Sequence, residues 1–253
     1  MYQTIISAEE LSAKLKEPDW LVIDCRYDLA DMSSGYRSYL DEHIVGAIYA
    51  DIHNDLSGEM LTDHGRHPLP GADKLRKVFS SFGISQDKQV VVYDASSGAF
   101  AARLWWLLRY MGHEAVAVLD GGWQAWQTAK LETATGEAIG SAEIFTGEPI
   151  RDWLVIMDEV ADMPLLVDSR DAERYRGDIE PIDPLAGHIP GAINHCWKEN
   201  LGENEYFLDS EQLKQQFSQI YADTPAELVV FYCGSGVSAC HNLLAVAHAG
   251  LAP

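Results

Sequence analysis

One cysteine with small residues after it is the clearest candidate for chemistry in this chain. Cys233 follows an apolar run rich in β-branched and aromatic residues, 228–232, that predicts a buried strand, and helical spacing resumes from residue 239. The loop between them consists of Gly234, Ser235, Gly236, Val237 and Ser238. Backbone N–H groups in such a loop, backed by the amino end of a helix, converge on an anion. A thiol held there loses its proton more easily and becomes a nucleophile.

Two other interpretations of Cys233 compete with this one. An unpaired cysteine is most often a small buried apolar residue, but the neighbouring glycines and the position at a strand end favour chemistry. A phosphatase-type loop needs an arginine six residues after the cysteine to clamp a phosphate through two bonds. Ala239 occupies that position, so phosphoryl transfer is disfavoured.

Composition narrows the functional classes. The chain has 253 residues, enough for one or two domains with a sizeable core, and no apolar run long enough to span a membrane. Its net charge of −21 argues against nucleic acid and anionic membranes as partners. An anionic substrate would be repelled by this field, so a local cation is needed to capture it.

Cysteine spacing and the amino terminus indicate the compartment. The four cysteines, at positions 25, 196, 233 and 240, make neither a disulfide framework nor the close pairs of a metal site. The amino terminus lacks a basic region followed by an apolar one, and Ser7 with Glu10 predicts the capping box of a first helix. We therefore expect reduced thiols, a cytoplasmic location and no metal.

An α/β unit occurs twice in the sequence. Three segments recur in the same order: LVIDCR (21–26) as LLVDSR (165–170), HIVGAI (43–48) as HIPGAI (188–193), and VVVYDASSG (90–98) as VVFYCGSG (229–236). Strands that alternate with helices predict a mainly parallel sheet with helices on both faces in each copy. Asp94 stands in the first copy where Cys233 stands in the second, so only the second copy carries the nucleophile.

The repeat also sets the expected domain boundaries. We predict a non-catalytic domain at 1–138, a linker at 139–150 and a catalytic domain at 151–253. The first copy continues beyond its last matched helix into AVAVLDGGWQAW (115–126), whereas the second ends without a counterpart. The second sheet is therefore expected to lack its last strand region, with an apparently truncated carboxyl end.

The duplicated unit, the HIPGA turn, ARLWWLLRYMGH (102–113) and CGSGVSAC (233–240) together resemble the tandem-domain rhodanese-type sulfurtransferases. Within that family, thiosulfate-preferring enzymes carry basic residues directly after the cysteine. The Gly-Ser-Gly-Val loop here is most similar to that of 3-mercaptopyruvate sulfurtransferases. The resemblance implies two rhodanese-like domains and an active cysteine that carries sulfur.

Residue roles follow from this resemblance one at a time. Cys233 would accept sulfur as a persulfide, held by the loop residues Gly234, Gly236, Val237 and Ser238. Ser235 resembles the serine of a proton relay, and His67, in GRHPLPG (65–71), resembles the histidine that works with it. Arg174 resembles the arginine that grips the substrate carboxylate; the alternative is a solvated surface charge.

The acidic member of the relay departs from the family pattern. In relatives it follows an Asp-Ile pair, but His53 follows that pair here. Asp51, Asp55 and Asp63 remain open as candidates. A second substrate arginine of some relatives has no counterpart in 178–187.

The expected reaction moves sulfur from 3-mercaptopyruvate, a small anionic donor, through the Cys233 persulfide to cyanide or to a thiol acceptor such as a thioredoxin-like protein. No cofactor is required. The alternatives are a thiosulfate:cyanide sulfurtransferase and a persulfide-relay or binding module with weak turnover. Cys240 and the aromatic residues of 105–110 are expected to pack in the core, and His241 and His248 to lie on the surface of the last helix.

Overall fold

The computed structural model describes residues 1–60 and 65–251 of the chain. The chain divides into two compact units, Met1–Ile150 and Arg151–Pro253. Among the described residues, no helix combines the length and apolar character that a bilayer crossing requires.

The first unit is an α/β fold built on a parallel sheet. Its elements are β1 (Ile5–Ile6), α1 (Ala8–Ser12), β2 (Trp20–Asp24), α2 (Ser34–Asp41), β3 (His43–Ile44), β4 (Ile48–Tyr49), α3 (Ala72–Ser81), β5 (Gln89–Tyr93), α4 (Ala101–Tyr110), β6 (Val116–Leu119), α5 (Gly122–Thr128) and β7 (Thr133–Ala134). Five strands pair in the order β1-β6-β5-β2-β4, all parallel. Strands β3 and β7 form a separate antiparallel pair.

Apolar residues place β5 and α4 in the core of this unit. All five residues of β5 are buried, as expected of a central parallel strand with both faces covered. Trp105 is only 2% exposed, and Trp106 and Tyr110 are also buried, which confirms the predicted core role of the aromatic residues of 105–110. The predicted capping box of α1 is present, since Ser7 and Glu10 exchange side-chain and backbone hydrogen bonds.

The second unit repeats the centre of this sheet with fewer strands. Its elements are β8 (Leu165–Asp168), α6 (Ala172–Arg176), β9 (Ile193–Asn194), α7 (Ser210–Tyr221), β10 (Val229–Tyr232) and α8 (Ser238–His248), with short 3₁₀ helices at Arg151–Trp153, Met157–Asp162, Trp197–Asn200 and Ala226–Leu228. The parallel order β10-β8-β9 corresponds to β5-β2-β4 of the first unit. The predicted α/β class with mainly parallel sheets is confirmed. Within residues 151–251, β10 is an edge strand.

The two sheets share a buried ion pair at the end of the strand that opens each repeat. Arg26 and Asp24 approach to 2.6 Å in the first unit, and Arg170 and Asp168 to the same distance in the second. Each arginine also donates to a backbone carbonyl 16 or 17 residues further along the chain. Both pairs therefore tie a strand end to the turn that follows, and they belong to the scaffold rather than to a site.

The predicted linker, 139–150, contains no helix or strand and packs on the first unit. Phe145 is buried against Phe79, with ring centroids 5.1 Å apart. The Ile150 N–H donates to the Tyr110 carbonyl at 2.8 Å. The first compact unit therefore extends to the end of this segment.

Candidate active site

Cys233 lies directly beyond the carboxyl edge of the second sheet. Strands β8 and β10 run parallel with Asp168 opposite Tyr232, and the Ser169 N–H donates to the Tyr232 carbonyl at 2.8 Å. The cysteine is half-buried, so its sulfur is not sealed in the core. The carboxyl ends of parallel strands are where open α/β sheets place their reactive groups.

The loop after Cys233 turns one of its amides onto the sulfur. The Gly236 N–H donates to Cys233 Sγ at 3.1 Å. Gly236 has φ +72°, a conformation that favours glycine, which explains why this residue type is needed here. Cys240 is buried, as predicted, and its thiol donates to the Gly236 carbonyl at 3.1 Å, so both backbone groups of Gly236 are held in place.

The amino end of α8 adds to this electropositive environment. Val237 is its N-cap residue, and no side chain caps this end among the residues that the structure describes. The first N–H groups of a helix have no partner within it, and they carry the positive end of the helix dipole. Cys233 therefore stands before an N–H-rich junction suited to a negative group.

The matching junction of the first unit contains such a group. Asp94 is fully buried, and its carboxylate accepts N–H bonds from Ser96 and Gly98 on Oδ1 and from Phe100 and Ala101 on Oδ2, all at 2.8 or 2.9 Å. Burial raises the pKa of Asp94, and these four bonds act against that rise. This strand–loop–helix junction thus collects backbone donors around one acidic side chain.

A buried polar network fixes α8 behind the cysteine loop. Asn200 Nδ2 donates to Asn242 Oδ1 at 2.7 Å, and Asn242 Nδ2 donates to Ser169 Oγ at 2.9 Å and to the His195 carbonyl at 3.0 Å. The network connects α8, the 3₁₀ helix Trp197–Asn200 and the end of β8. Sequence reasoning missed it, because its members are far apart in the chain and share no motif.

The predicted surface position of His241 is wrong. The ring is fully buried, stacks on Phe207 with centroids 4.6 Å apart, and accepts from Asn200 Nδ2 at 3.1 Å on Nδ1. His248 is half-buried, and burial lowers its pKa. The prediction failed because helical periodicity cannot show that residues 197–207 cover this side of α8.

Arg174 lies beyond the same sheet edge, on the short helix α6 that follows β8. Its side chain is only 13% exposed, which excludes a solvated surface charge. Its Nε and Nη2 both donate to Glu180, at 3.1 and 2.8 Å, and Nη2 also donates to Asp183 at 2.7 Å. The two carboxylate partners were not anticipated from the sequence.

His67, in the first unit, has an unusual environment. It is 4% exposed, and neither ring nitrogen has a hydrogen-bond partner among the described residues. The ring stacks on His53 with centroids 4.6 Å apart, and His53 Nε2 lies 2.5 Å from the Tyr27 hydroxyl. Burial lowers the pKa of His67 to about 4, and the like charge of His53 adds to this effect. His67 is therefore a neutral imidazole near pH 7.

Of the candidate acids of the relay, neither Asp51 nor Asp55 bonds to His67. Asp51 accepts the N–H of His53 at 2.9 Å, and Asp55 accepts the N–H of Asp51 at 2.8 Å, so both carboxylates shape the local turn. They line a pocket of about 820 Å³ in the first unit together with His53. Asp63 lies outside the described residues.

The structure thus gathers the six loop residues 233–238 at one junction and places Arg174 beyond the same sheet edge. His67 belongs to the other unit, so its relay with Ser235 stays a prediction. No group of three His, Cys, Asp or Glu side chains within residues 1–60 and 65–251 is arranged to hold a metal ion.

Comparison with known proteins identifies relatives over nearly the whole chain. The profile of the rhodanese-like domain matches residues 7–129 and again 152–252. A Pseudomonas aeruginosa protein, named a probable 3-mercaptopyruvate sulfurtransferase, is 45% identical over 97% of this chain and 89% of its own length. A Mycobacterium tuberculosis relative, provisionally assigned as thiosulfate sulfurtransferase SseB, is 36% identical over 98% of this chain and 89% of its own.

A solved structure supports the same relationship. The crystal structure of SseA from Escherichia coli, described as a 3-mercaptopyruvate sulfotransferase with the rhodanese fold, matches with a TM-score of 0.85 at 27% identity. The match covers 99% of this chain and 95% of that chain. The two profile matches contain the two junctions described above, with Asp94 in one and Cys233 in the other. The chain therefore belongs to the rhodanese-like family, as a sulfurtransferase with two rhodanese-like domains in tandem.

Proposed function

We propose that this sulfurtransferase takes sulfur from 3-mercaptopyruvate onto Cys233 and passes it to a thiol or to cyanide. The observation that carries the proposal is the half-buried Cys233 after β10, whose sulfur accepts the Gly236 N–H in front of a helix end that no side chain of the described residues caps. The loop contains no basic side chain, which fits a carboxylate-bearing donor held by a separate arginine.

In the first step, the Cys233 thiolate attacks the sulfur of the donor. A sulfur–sulfur bond forms while the carbon–sulfur bond of the donor breaks, and the electron pair of that bond remains on carbon as pyruvate enolate. The enolate carbon then takes up a proton and leaves as pyruvate. Arg174 holds the donor carboxylate throughout.

The persulfide left on Cys233 is acidic, and its outer sulfur carries negative charge. Backbone donors that are fixed in place before the reaction stabilise such a charge at little reorganisation cost. At the matching junction of the first unit, the carboxylate of Asp94 accepts four such N–H bonds. In our proposal Gly236, with the neighbouring loop amides, does the same for the persulfide.

Ser235 and His67 supply the proton in this proposal. A hydroxyl two residues from the nucleophile can deliver a proton to the enolate carbon, and a neutral histidine can pass to that hydroxyl the proton that the donor thiol gives up as the persulfide becomes an anion. His67 enters the cycle uncharged, because burial holds its pKa at about 4. The outer sulfur then passes to a small thiol, a thioredoxin-like dithiol or cyanide, and we place the reaction in the cytoplasm, where thiols stay reduced.

Intact-mass analysis after donor treatment tests the proposal. The wild-type chain should gain one sulfur atom from 3-mercaptopyruvate, cyanide should remove it, and Cys233→Ser should gain none. Cys196→Ser is the matched control and should load normally, since burial raises the pKa of Cys196 to about 11 and keeps it a thiol. Absence of loading on the wild-type chain would refute the proposal.

Thiosulfate is the second candidate donor, because one relative carries that assignment at 36% identity. Comparing kcat/KM for the two donors on one preparation decides between them. We expect the ratio to favour 3-mercaptopyruvate, since thiosulfate has no carboxylate for Arg174. A ratio that favours thiosulfate would assign the chain to the other donor class.

A further inference from the structure

Arg174 is already engaged by two carboxylates of its own unit. A guanidinium has two edges on which a carboxylate can bind through two parallel hydrogen bonds, one formed by Nε and Nη2 and the other by Nη1 and Nη2. Glu180 takes the first edge, with Oε2 3.1 Å from Nε and Oε1 2.8 Å from Nη2. Asp183 reaches the second edge through Nη2, with Oδ2 at 2.7 Å. Nη1 has no hydrogen-bond partner among the described residues.

The two carboxylates differ in how far they are buried. Glu180 has a side chain that is 5% exposed, and it accepts the N–H groups of Ile182 and Asp183 at 3.0 and 2.9 Å. It also lies 3.4 Å from Arg170 Nη1. Glu180 is thus built into the turn and orients the guanidinium. Asp183 is 22% exposed and stands in the segment 177–187, which has no helix or strand.

A donor carboxylate must therefore approach Arg174 on the edge that Asp183 already contacts. With the Nε edge closed by Glu180, a two-bond contact needs both Nη1 and Nη2. The Asp183 carboxylate competes for that edge by charge and by position. It also adds a negative charge beside the incoming anion, in a chain whose net charge is already −21.

We propose that Asp183 sets the affinity of this enzyme for carboxylate-bearing donors by competing with them for Arg174, while Glu180 positions the arginine. The proposal rests on the function proposed above for Arg174. Donor binding rotates the Asp183 side chain away and replaces one carboxylate by another on the same edge. Asp183 is a specificity-determining residue that takes no part in sulfur transfer itself.

Binding of pyruvate tests this without any sulfur chemistry. Asp183→Asn keeps the shape of the side chain and removes its charge, so the Kd of pyruvate measured by calorimetry should fall roughly 3- to 10-fold, as for loss of one partly exposed charged competitor. Glu180→Gln should change the Kd in the opposite direction, because Arg174 loses its fixed partner. The opposite signs separate competition from positioning.

Asp178→Asn is the matched control for charge. Asp178 lies in the same segment and pairs with Arg176 at 2.7 Å, with both side chains more than half exposed. It removes the same single negative charge without touching Arg174, and it should leave the Kd unchanged. In an Arg174→Gln background the effect of Asp183→Asn should vanish, because no shared edge remains.

Kinetics with 3-mercaptopyruvate complete the test. For Asp183→Asn we expect KM to fall with pyruvate Kd while kcat changes less than about twofold, the pattern for altered ground-state binding. An Asp183→Asn variant that binds pyruvate no better than wild type overturns the proposal. If pyruvate binding tightens but the wild-type chain never loads sulfur on Cys233, the competition stands and the proposed sulfur transfer fails.

Discussion

The two copies of the rhodanese unit use one junction for opposite purposes. In the first, the six residues 95–100 lead from Asp94 to α4, and the fully buried carboxylate accepts four backbone N–H bonds. In the second, the four residues 234–237 lead from Cys233 to α8, and the sulfur receives the Gly236 amide while staying half-buried. The donors belong to the backbone in both copies, so we expect the second junction to bind an anion as the first does. Reactivity depends on which side chain occupies the junction and on access to it.

Replacing Cys233 with aspartate should convert the second junction into a copy of the first. Sulfur loading should be abolished, with kcat reduced roughly 10³-fold or more, because a carboxylate cannot form the persulfide. Stability should stay close to that of Cys233→Ser, since the loop N–H groups can donate hydrogen bonds to the new carboxylate. Intact mass and urea denaturation of both variants measure the two effects. A Cys233→Asp chain that unfolds far more easily than Cys233→Ser would show that this junction does not bind anions.

Removing the Asp94 carboxylate from the first junction should lower the stability of the protein and not act on the sulfur chemistry. In Asp94→Ala four buried N–H groups lose their acceptor, and we expect the free energy of unfolding to fall by about 3 kcal/mol. Asp94→Asn retains one acceptor oxygen and should lose about half as much. Urea denaturation measures both. A loss below about 1 kcal/mol for Asp94→Ala would mean that water replaces the carboxylate at little cost.

Gly236→Ala, compared with a control glycine, distinguishes the effect of backbone strain from the effect of moving the Gly236 amide. At φ +72° alanine is disfavoured by about 1 kcal/mol, and the shift of the N–H away from sulfur should slow persulfide formation roughly 10- to 100-fold. Gly250→Ala is the matched control, because Gly250 has φ +71° and an added Cβ would meet nothing within 4 Å. It should show the same loss of stability with normal sulfur loading in rapid-mixing experiments. Equal loading rates in both variants would contradict a role for the Gly236 amide.

Local sequence patterns predicted the two junctions. They did not predict features that depend on packing between residues far apart in the chain. The repeats located both strand ends, and the glycines around Cys233 indicated a curled loop, since these features depend on neighbouring residues. The burial of His241 depends on residues 197–207, which approach α8 from a distant part of the chain. Its neighbour Asn242 carries a hydrogen-bond network that no spacing rule describes.

The partners of Arg174 illustrate the same limit within one loop. Glu180 and Asp183 are six and nine residues away, and their charge is evident from the residue types, whereas the turn that folds them back onto the guanidinium is not. The sequence therefore indicates that an arginine can bind an anion, but it does not show whether that arginine already has a partner. Capture of the donor by Arg174 remains a prediction, and the structure adds that two carboxylates of its own unit already contact this cation.

His67 provides the smallest and most specific test, because it is a buried histidine in the copy without a nucleophile. Burial lowers its pKa from the ordinary 6.5 to about 4. Below pH 6.5 the unfolded chain binds a proton at this position while the folded chain does not, so the stability present above pH 6.5 is lost progressively as the pH falls towards 4. His67→Gln cannot titrate and should lose less stability on acidification. Between about pH 7 and about pH 5 we expect the wild-type chain to lose about 2 kcal/mol more than the variant in urea denaturation. Parallel losses in the two proteins would show that His67 titrates normally and that its burial does not hold it neutral.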